Sequence, residues 1–236
     1  MTPDDVLPLH LADVTFPDTH PLSGQTGEVF GFGVRTSGGL VLFDTGIGRG
    51  NELLDRYYGV AHRPLDEALA EHGLAVADVR AIVNSHLHFD HCGNNLLFPG
   101  VPIYVQAAER VAARAARYTV PEWVDFEGAE YRVIDGEEQV ASDVRVVATP
   151  GHTPGHQSLV LDTRDGVIVL AGQAIYSATE CEQLVDTGDV PPDDPAPDPE
   201  RYRASALALL ALRPVRMHFS HDRAAWDRPS PGTERP

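Results

Sequence analysis

Residues Ser85, His86, Leu87, His88, Phe89, Asp90, His91, Cys92, Gly93 and Asn94 run consecutively, one residue after the apolar stretch Val79 to Val83. Three imidazoles and a carboxylate fall within six positions. Helix and sheet packing has no use for such a cluster. A metal ion does, because neutral imidazole suits zinc and similar ions and a carboxylate oxygen adds negative charge. The apolar stretch reads as a strand, so the cluster lies at a strand end.

His86 and His88 are two apart, and in extended backbone such residues point to one side, where both rings can meet one ion. Asp90 and His91 follow as the chain turns at Gly93-Asn94, and from a turn they can aim at a second ion. Two further histidines have similar settings. His152 sits in the Gly/Pro-rich turn Thr149 to His156 after the apolar run Val144–Ala148, and is a candidate third ligand for the first ion. His221 follows the apolar run Val215–Phe219 and is a candidate ligand for the second. His156 is expected to fix its loop through hydrogen bonds. His10, His20, His62 and His72 have no such setting and are assigned surface or packing roles. His218 lies within the last strand and is expected to point away from His221. Cys92 reads as a small buried residue.

The composition narrows the functional classes. The 236 residues suit one medium domain, taken as 1–228, with a Pro/Gly/Ser-rich tail at 229–236 expected to fray. The formal charge is −17 and the chain has no lysine. Such a surface repels nucleic acid, and a lysine Schiff base or a P-loop lysine is impossible. Two cysteines make no disulfide framework. No apolar run approaches the roughly 20 residues of a membrane helix. The acidic start, Met1 to Asp5, does not read as a signal peptide, and a cytoplasmic location is expected.

Strand patterns occur at Val29–Val34, Leu40–Phe43, Val79–Val83, Ile103–Val105, Val144–Ala148, Ser158–Leu161, Val167–Ala171 and Val215–Phe219. Helical patterns occupy Pro64–His72, Gln106–Arg117 and Tyr202–Leu212, the last capped by Asp198 with Pro199 at its first position. Strands paired early and then alternating with helices suggest interior sheets with helices outside. The stretch Pro191 to Pro197 reads as a rigid acidic loop.

The ordered set His-x-His-x-Asp-His, then Gly-His-Thr-Pro-Gly-His, then a late strand-end histidine resembles the metallo-β-lactamase superfamily, from about Asp44-Thr45-Gly46 to His221. The resemblance implies an α/β fold of the αββα type, two mixed β-sheets flanked by helices, with the site at one sheet edge. It also implies that Asp44 supports the metal loop from behind. Within the superfamily the chain is most similar to the acyl-homoserine lactone lactonases. Those enzymes carry a metal-bridging Asp followed three residues later by a Tyr that contacts the substrate carbonyl. This chain has Gln173 and Tyr176 at that interval. A glutamine amide is neutral and offers one good acceptor oxygen. Two dications therefore repel with less compensation. The expectation is a weakened second site or a single ion, with His86, His88 and His152 holding the better-kept one.

The resulting reading is a metal-dependent hydrolase in which metal-activated hydroxide opens a lactone, with N-acyl-homoserine lactone as the candidate substrate. Asp90 orients the nucleophile and Tyr176 donates to the carbonyl oxygen. The cofactor is one or two Zn2+ ions, with iron or manganese as alternatives. The partner is a small-molecule ester or lactone, with no nucleic acid and no membrane, and the chain is a monomer or homodimer. A thioesterase or other ester hydrolase, a mononuclear-iron redox enzyme and a catalytically impaired metal-binding protein stay open as alternatives. Phe16, Phe30, Phe32, Trp123 and Phe126 are candidates to line an apolar pocket, and Arg35, Arg63 and Arg117 to receive an anion.

Overall fold

All four residues from Leu40 to Phe43 are buried, so this strand needs apolar cover on both faces. The computed structural model, which describes residues 1–20, 22–189 and 196–229, supplies that cover with a four-layer arrangement. The first sheet orders its strands β4 (Ala61–His62), β1 (Val6–Thr15), β2 (Thr26–Thr36), β3 (Gly39–Phe43), β5 (Val79–Val83), β6 (Pro102–Gln106) and β7 (Glu130–Ile134). It is antiparallel from β4 to β3 and parallel from β3 to β7. The second orders β13 (Asp222–Asp227), β12 (Arg216–Phe219), β11 (Gly166–Leu170), β10 (Gln157–Thr163), β9 (Val144–Ala148) and β8 (Glu138–Ala141). Only its β11–β12 pair is parallel. Both sheets are thus mixed, as the resemblance implies.

Side-chain alternation explains the layering. Phe30, Phe32, Val41, Phe43, Ala81 and Val83 of the first sheet meet Val144, Val146, Leu159, Leu161, Ile168 and Leu170 of the second in one buried cluster. Leu40, Leu42, Val79 and Ile82 point the other way, onto Leu65, Ala68 and Leu69 of α2 (Leu65–Ala70). A bulge between β3 and β5 lets Val79 and Ile82 share that outer face although they are an odd number apart. On the outside of the second sheet, Val160, Val169 and Phe219 pack on α6 (Ala178–Thr187) and α7 (Pro199–Ala211). Asp198 caps α7 by accepting from the Arg201 N–H at 3.1 Å, and Pro199 opens the helix, as the sequence suggests. Shorter helices are α1 (Glu52–Tyr57), α3 (Phe89–Cys92), α4 (Ala107–Ala112) and α5 (Pro121–Val124).

Some expectations need correction. The helix read over Gln106–Arg117 ends at Ala112, because Ala113 onward turns so that Arg117 adopts a left-handed φ of 66° and Tyr118 reaches back to Glu109. High Ala/Arg propensity yields there to tertiary contacts. Phe30, Phe32 and Trp123 belong to buried core clusters and do not line the cavity that holds the candidate ligands, and Phe126 packs against the cluster beneath α2. Positions 191–195 of the acidic loop and 230–236 of the tail lie outside the described residues. No helix among the described residues is long and apolar enough to cross a membrane.

The inter-sheet cluster makes a direct stability prediction. Phe43→Ala should lower unfolding free energy by about 3–5 kcal/mol, measured by denaturant titration. Val111→Ala, at a position 68 % exposed, should change it by less than about 0.5 kcal/mol.

Candidate metal centre

The ends of β5, β9 and β12 deliver the candidate ligands to one edge of the sandwich. β5 stops at Val83, and residues 84–88 carry His86 and His88 across the sheet edge. The one-turn helix α3 then aims Asp90 and His91 elsewhere. Gly93 closes this loop onto the 46–48 turn, where a Cβ would lie 1.9 Å from the Gly48 nitrogen, so no larger residue fits.

His86 Nε2 lies 3.0 Å from His88 Nδ1, and His152 Nε2 lies 3.2 and 3.3 Å from those atoms. Burial, reinforced by neighbouring imidazoles, pushes the pKa of His86 and of His152 well below 6.5, and burial lowers His88 to about 4. Three neutral rings cannot satisfy one another around a triangle, because the available protons are too few and poorly aimed. Three converging lone pairs suit a cation.

The second group is Asp90, His91 and His221. Asp90 Oδ2 lies 3.6 Å from His91 Nε2 and 3.7 Å from His221 Nε2. Both nitrogens are buried and lack a hydrogen-bond partner among the described residues. Their other ring nitrogens are engaged, His91 Nδ1 with Asp44 Oδ2 at 2.8 Å and His221 Nδ1 with the Glu28 carbonyl at 2.9 Å. A ring that donates from Nδ1 turns an Nε2 lone pair inward, the arrangement metal-ligating histidines use. Burial opposes charge on His91, but Asp90 and Asp44 outweigh it and raise its pKa, whereas burial lowers the pKa of His221. Burial likewise opposes charge on Asp90, yet His91 and His221 more than offset it and lower its pKa. The two groups thus fit divalent ions on their donor chemistry and on two orphaned buried nitrogens.

Asp44 sits at the end of β3 with φ of 62°. Its carboxylate accepts from the Ser85 N–H and Ser85 Oγ, both at 2.7 Å, besides engaging His91. It stands behind the loop, as the resemblance implies. His156 is held by Thr149 Oγ1 at 2.8 Å and accepts the Gln173 N–H at 3.0 Å, so it braces the turn. His218 packs on Phe32 inside the sandwich, away from the site. Cys92 is fully buried, and burial raises its thiol to about 12.

His88, Asp90, His152, Gln173, Tyr176 and His221 line one cavity of about 280 Å³. Gln173 is buried beside His91, and Tyr176 stacks on His221 at 5.0 Å. Val14, Phe16, Leu22, Tyr58 and Phe89 form an apolar wall. Of the aromatics considered from sequence, Phe16 is the one on this wall. His20, read as a surface or packing residue, also lines the cavity, stacked on Phe16 at 4.3 Å. Of the three arginines considered, Arg117 faces it. Nothing local in the sequence marks His20, because its place depends on the β1–β2 connection folding over the β5 end.

The metallo-beta-lactamase superfamily profile matches residues 31–221. Among curated proteins, an N-acyl homoserine lactonase of Bacillus thuringiensis is 37 % identical over 150 residues, covering 61 % of this chain and 56 % of that protein. One from a Bacillus species is 40 % identical over 114 residues, covering 48 % and 45 %. The chain spans about half the length of the curated relatives it matches. Among solved structures, a quorum-quenching N-acyl homoserine lactone lactonase superposes with a TM-score of 0.78 at 26 % identity, covering 94 % of each chain. An N-acyl homoserine lactone hydrolase with N-hexanoyl-L-homoserine bound at its catalytic metal center gives 0.73 at 27 % identity, covering 92 % of each.

The Asp44 contacts predict a specific defect. Asp44→Asn should weaken metal binding at Asp90, His91 and His221 by about 10- to 100-fold, read by chelator competition. Unchanged affinity would remove Asp44 from the support of that group.

Proposed function

The chain belongs to the metallo-beta-lactamase superfamily, and on that premise we propose that it is a metal-dependent hydrolase that opens lactones, with N-acyl homoserine lactones as the favoured class. The observation that carries this reading is the convergence of two ligand groups on one cavity with an apolar wall. The names of its relatives support the same substrate class. His86, His88 and His152 would hold one divalent ion, and Asp90, His91 and His221 a second, with zinc favoured by the imidazole-rich donor set. A bound ion polarises a carbonyl and brings the pKa of water near neutrality.

The chain's own residues supply the rest. Asp90 reaches both the cavity and the second histidine pair, so it can orient the attacking water and carry its proton. Water adds to the lactone carbonyl carbon, the bond to the ring oxygen breaks, and the departing alkoxide takes that proton. The Tyr176 phenol is placed to donate to the carbonyl oxygen as it gains charge. Glu180 fixes Tyr176 by accepting its backbone N–H at 2.6 Å, and is itself held by the Tyr202 hydroxyl at 2.8 Å. The wall of Phe16, Leu22, Tyr58 and Phe89 suits an acyl chain. Two unpaired, buried cysteines accord with a reducing, cytoplasmic setting.

Gln173 stands where the lactonases carry a bridging Asp, and a neutral amide compensates paired dications poorly. Freshly purified protein should hold fewer than two tightly bound ions per chain, and Gln173→Asp should raise that number. Two tight ions in the parent would contradict this. Against a panel of lactones and thioesters, the zinc-loaded protein should turn over the lactones, lose activity on chelation and regain it on zinc addition. Preference for thioesters would redirect the substrate assignment. Tyr176→Phe should lower kcat by about 100-fold, and unchanged kinetics would remove Tyr176 from the mechanism.

A further inference from the structure

Glu109 is a fully buried carboxylate in α4. Its Oε1 accepts the Leu87 N–H at 2.8 Å and also the Tyr118 hydroxyl, and its Oε2 accepts the Thr153 hydroxyl at 2.7 Å. Each of these partners is adjacent to a candidate ligand. Leu87 separates His86 from His88, and its buried side chain points away from the cavity into the cluster with Cys92, Val105 and Val124. Anchoring the Leu87 N–H therefore fixes the segment that turns both imidazoles outward. Thr153 follows His152 directly. The Tyr118 ring packs on the His88 ring at 4.6 Å. The turn bearing His152 also presses against α4, where a Cβ on Gly155 would lie 2.2 Å from the Glu109 nitrogen. The two loops approach from opposite sheets, and one carboxylate spans them.

We propose that Glu109 is a positioning residue that holds the His86–His88 segment and the His152 turn in ligating register, and so sets the affinity and coordination geometry of the three-histidine site. This rests on the reading that His86, His88 and His152 hold an ion. Burying a carboxylate is costly unless its oxygens are satisfied. Here three donors do so, and all belong to the surroundings of the ligands. An apolar side chain could fill the same space but could not tie the two loops together.

The variants Glu109→Ala and Glu109→Gln separate positioning from folding. Cobalt(II) is the probe, with affinity read by chelator competition and geometry by its visible absorption, both well below the unfolding temperature of each metal-free protein. Glu109→Ala should bind cobalt about 10- to 100-fold more weakly, with shifted bands. Glu109→Gln keeps an acceptor oxygen for Leu87 and Tyr118, and its amide can donate to Thr153 Oγ1, which accepts as well as donates. It should retain most of the affinity and the parent spectrum. Equal affinity and spectra in the parent and Glu109→Ala would overturn the proposal, as would a loss in Glu109→Gln as deep as in Glu109→Ala. Should Glu109→Ala not fold, Thr153→Val cuts the tether to the His152 turn alone. It should show a smaller loss with shifted bands, and no change would overturn the proposal. A parent protein that takes up no cobalt would defeat the three-histidine reading itself. A parent that binds cobalt no better than Glu109→Ala does would defeat the role of Glu109 alone.

Discussion

A buried carboxylate behind the site joins the ends of two strands from opposite sheets. Asp44, at the end of β3, holds Ser85 through backbone and side chain, engages His91 and contacts Ser220 Oγ at 3.4 Å. Those partners come from the ends of β5 and β12, one in each sheet. The polar ends of two apolar sheets are thereby brought together at β5 and β12. Such a carboxylate is tolerable in the interior only because its oxygens are fully engaged. Its left-handed backbone, uncommon for a non-glycine residue, is held in place by those contacts.

The division of labour follows from the layers. The inter-sheet cluster is built from apolar side chains, with His218 packed against its Phe32, and needs no chemistry of its own. Polar, buried residues concentrate at the edge where β3, β5, β9 and β12 end, among them Asp44, Ser85, His86, His91, His152 and Ser220. That edge is where a loop can leave the sheet without abandoning its hydrogen bonds. Within it, burial keeps the first three imidazoles neutral, while two carboxylates raise the pKa of His91. One end of the cavity thus offers three neutral lone pairs, and the other sets the Asp90 carboxylate against His91 and His221. Gln173 lies beside the second end and adds no negative charge to it.

Much of this was legible in the sequence, for a physical reason. His86, His88, Asp90 and His91 are nearly contiguous, and His152 and His221 each follow an apolar strand, so local pattern carried their placement. The eight strands read from short Val-, Ile- and Leu-rich runs all exist, though their ends shift by a few residues. β1 carries no clear strand pattern because Pro8, His10 and Asp13 interrupt its apolar run, while its pairing with β2 supplies the stability that pattern does not advertise. α6 presents few apolar residues, with Cys181 and Leu184 buried, and it was equally silent. Glu109 and His20 were out of reach for a different reason. Their roles depend on contacts between segments distant in sequence, and a lone charged or aromatic residue carries no local sign of such contacts.

Zinc K-edge X-ray absorption on the zinc-loaded protein tests the central claim most directly. Convergence of His86, His88 and His152 predicts imidazole scattering with nitrogen neighbours at about 2.0–2.1 Å and no sulfur. A sulfur shell near 2.3 Å, or a zinc environment without imidazole, would contradict it.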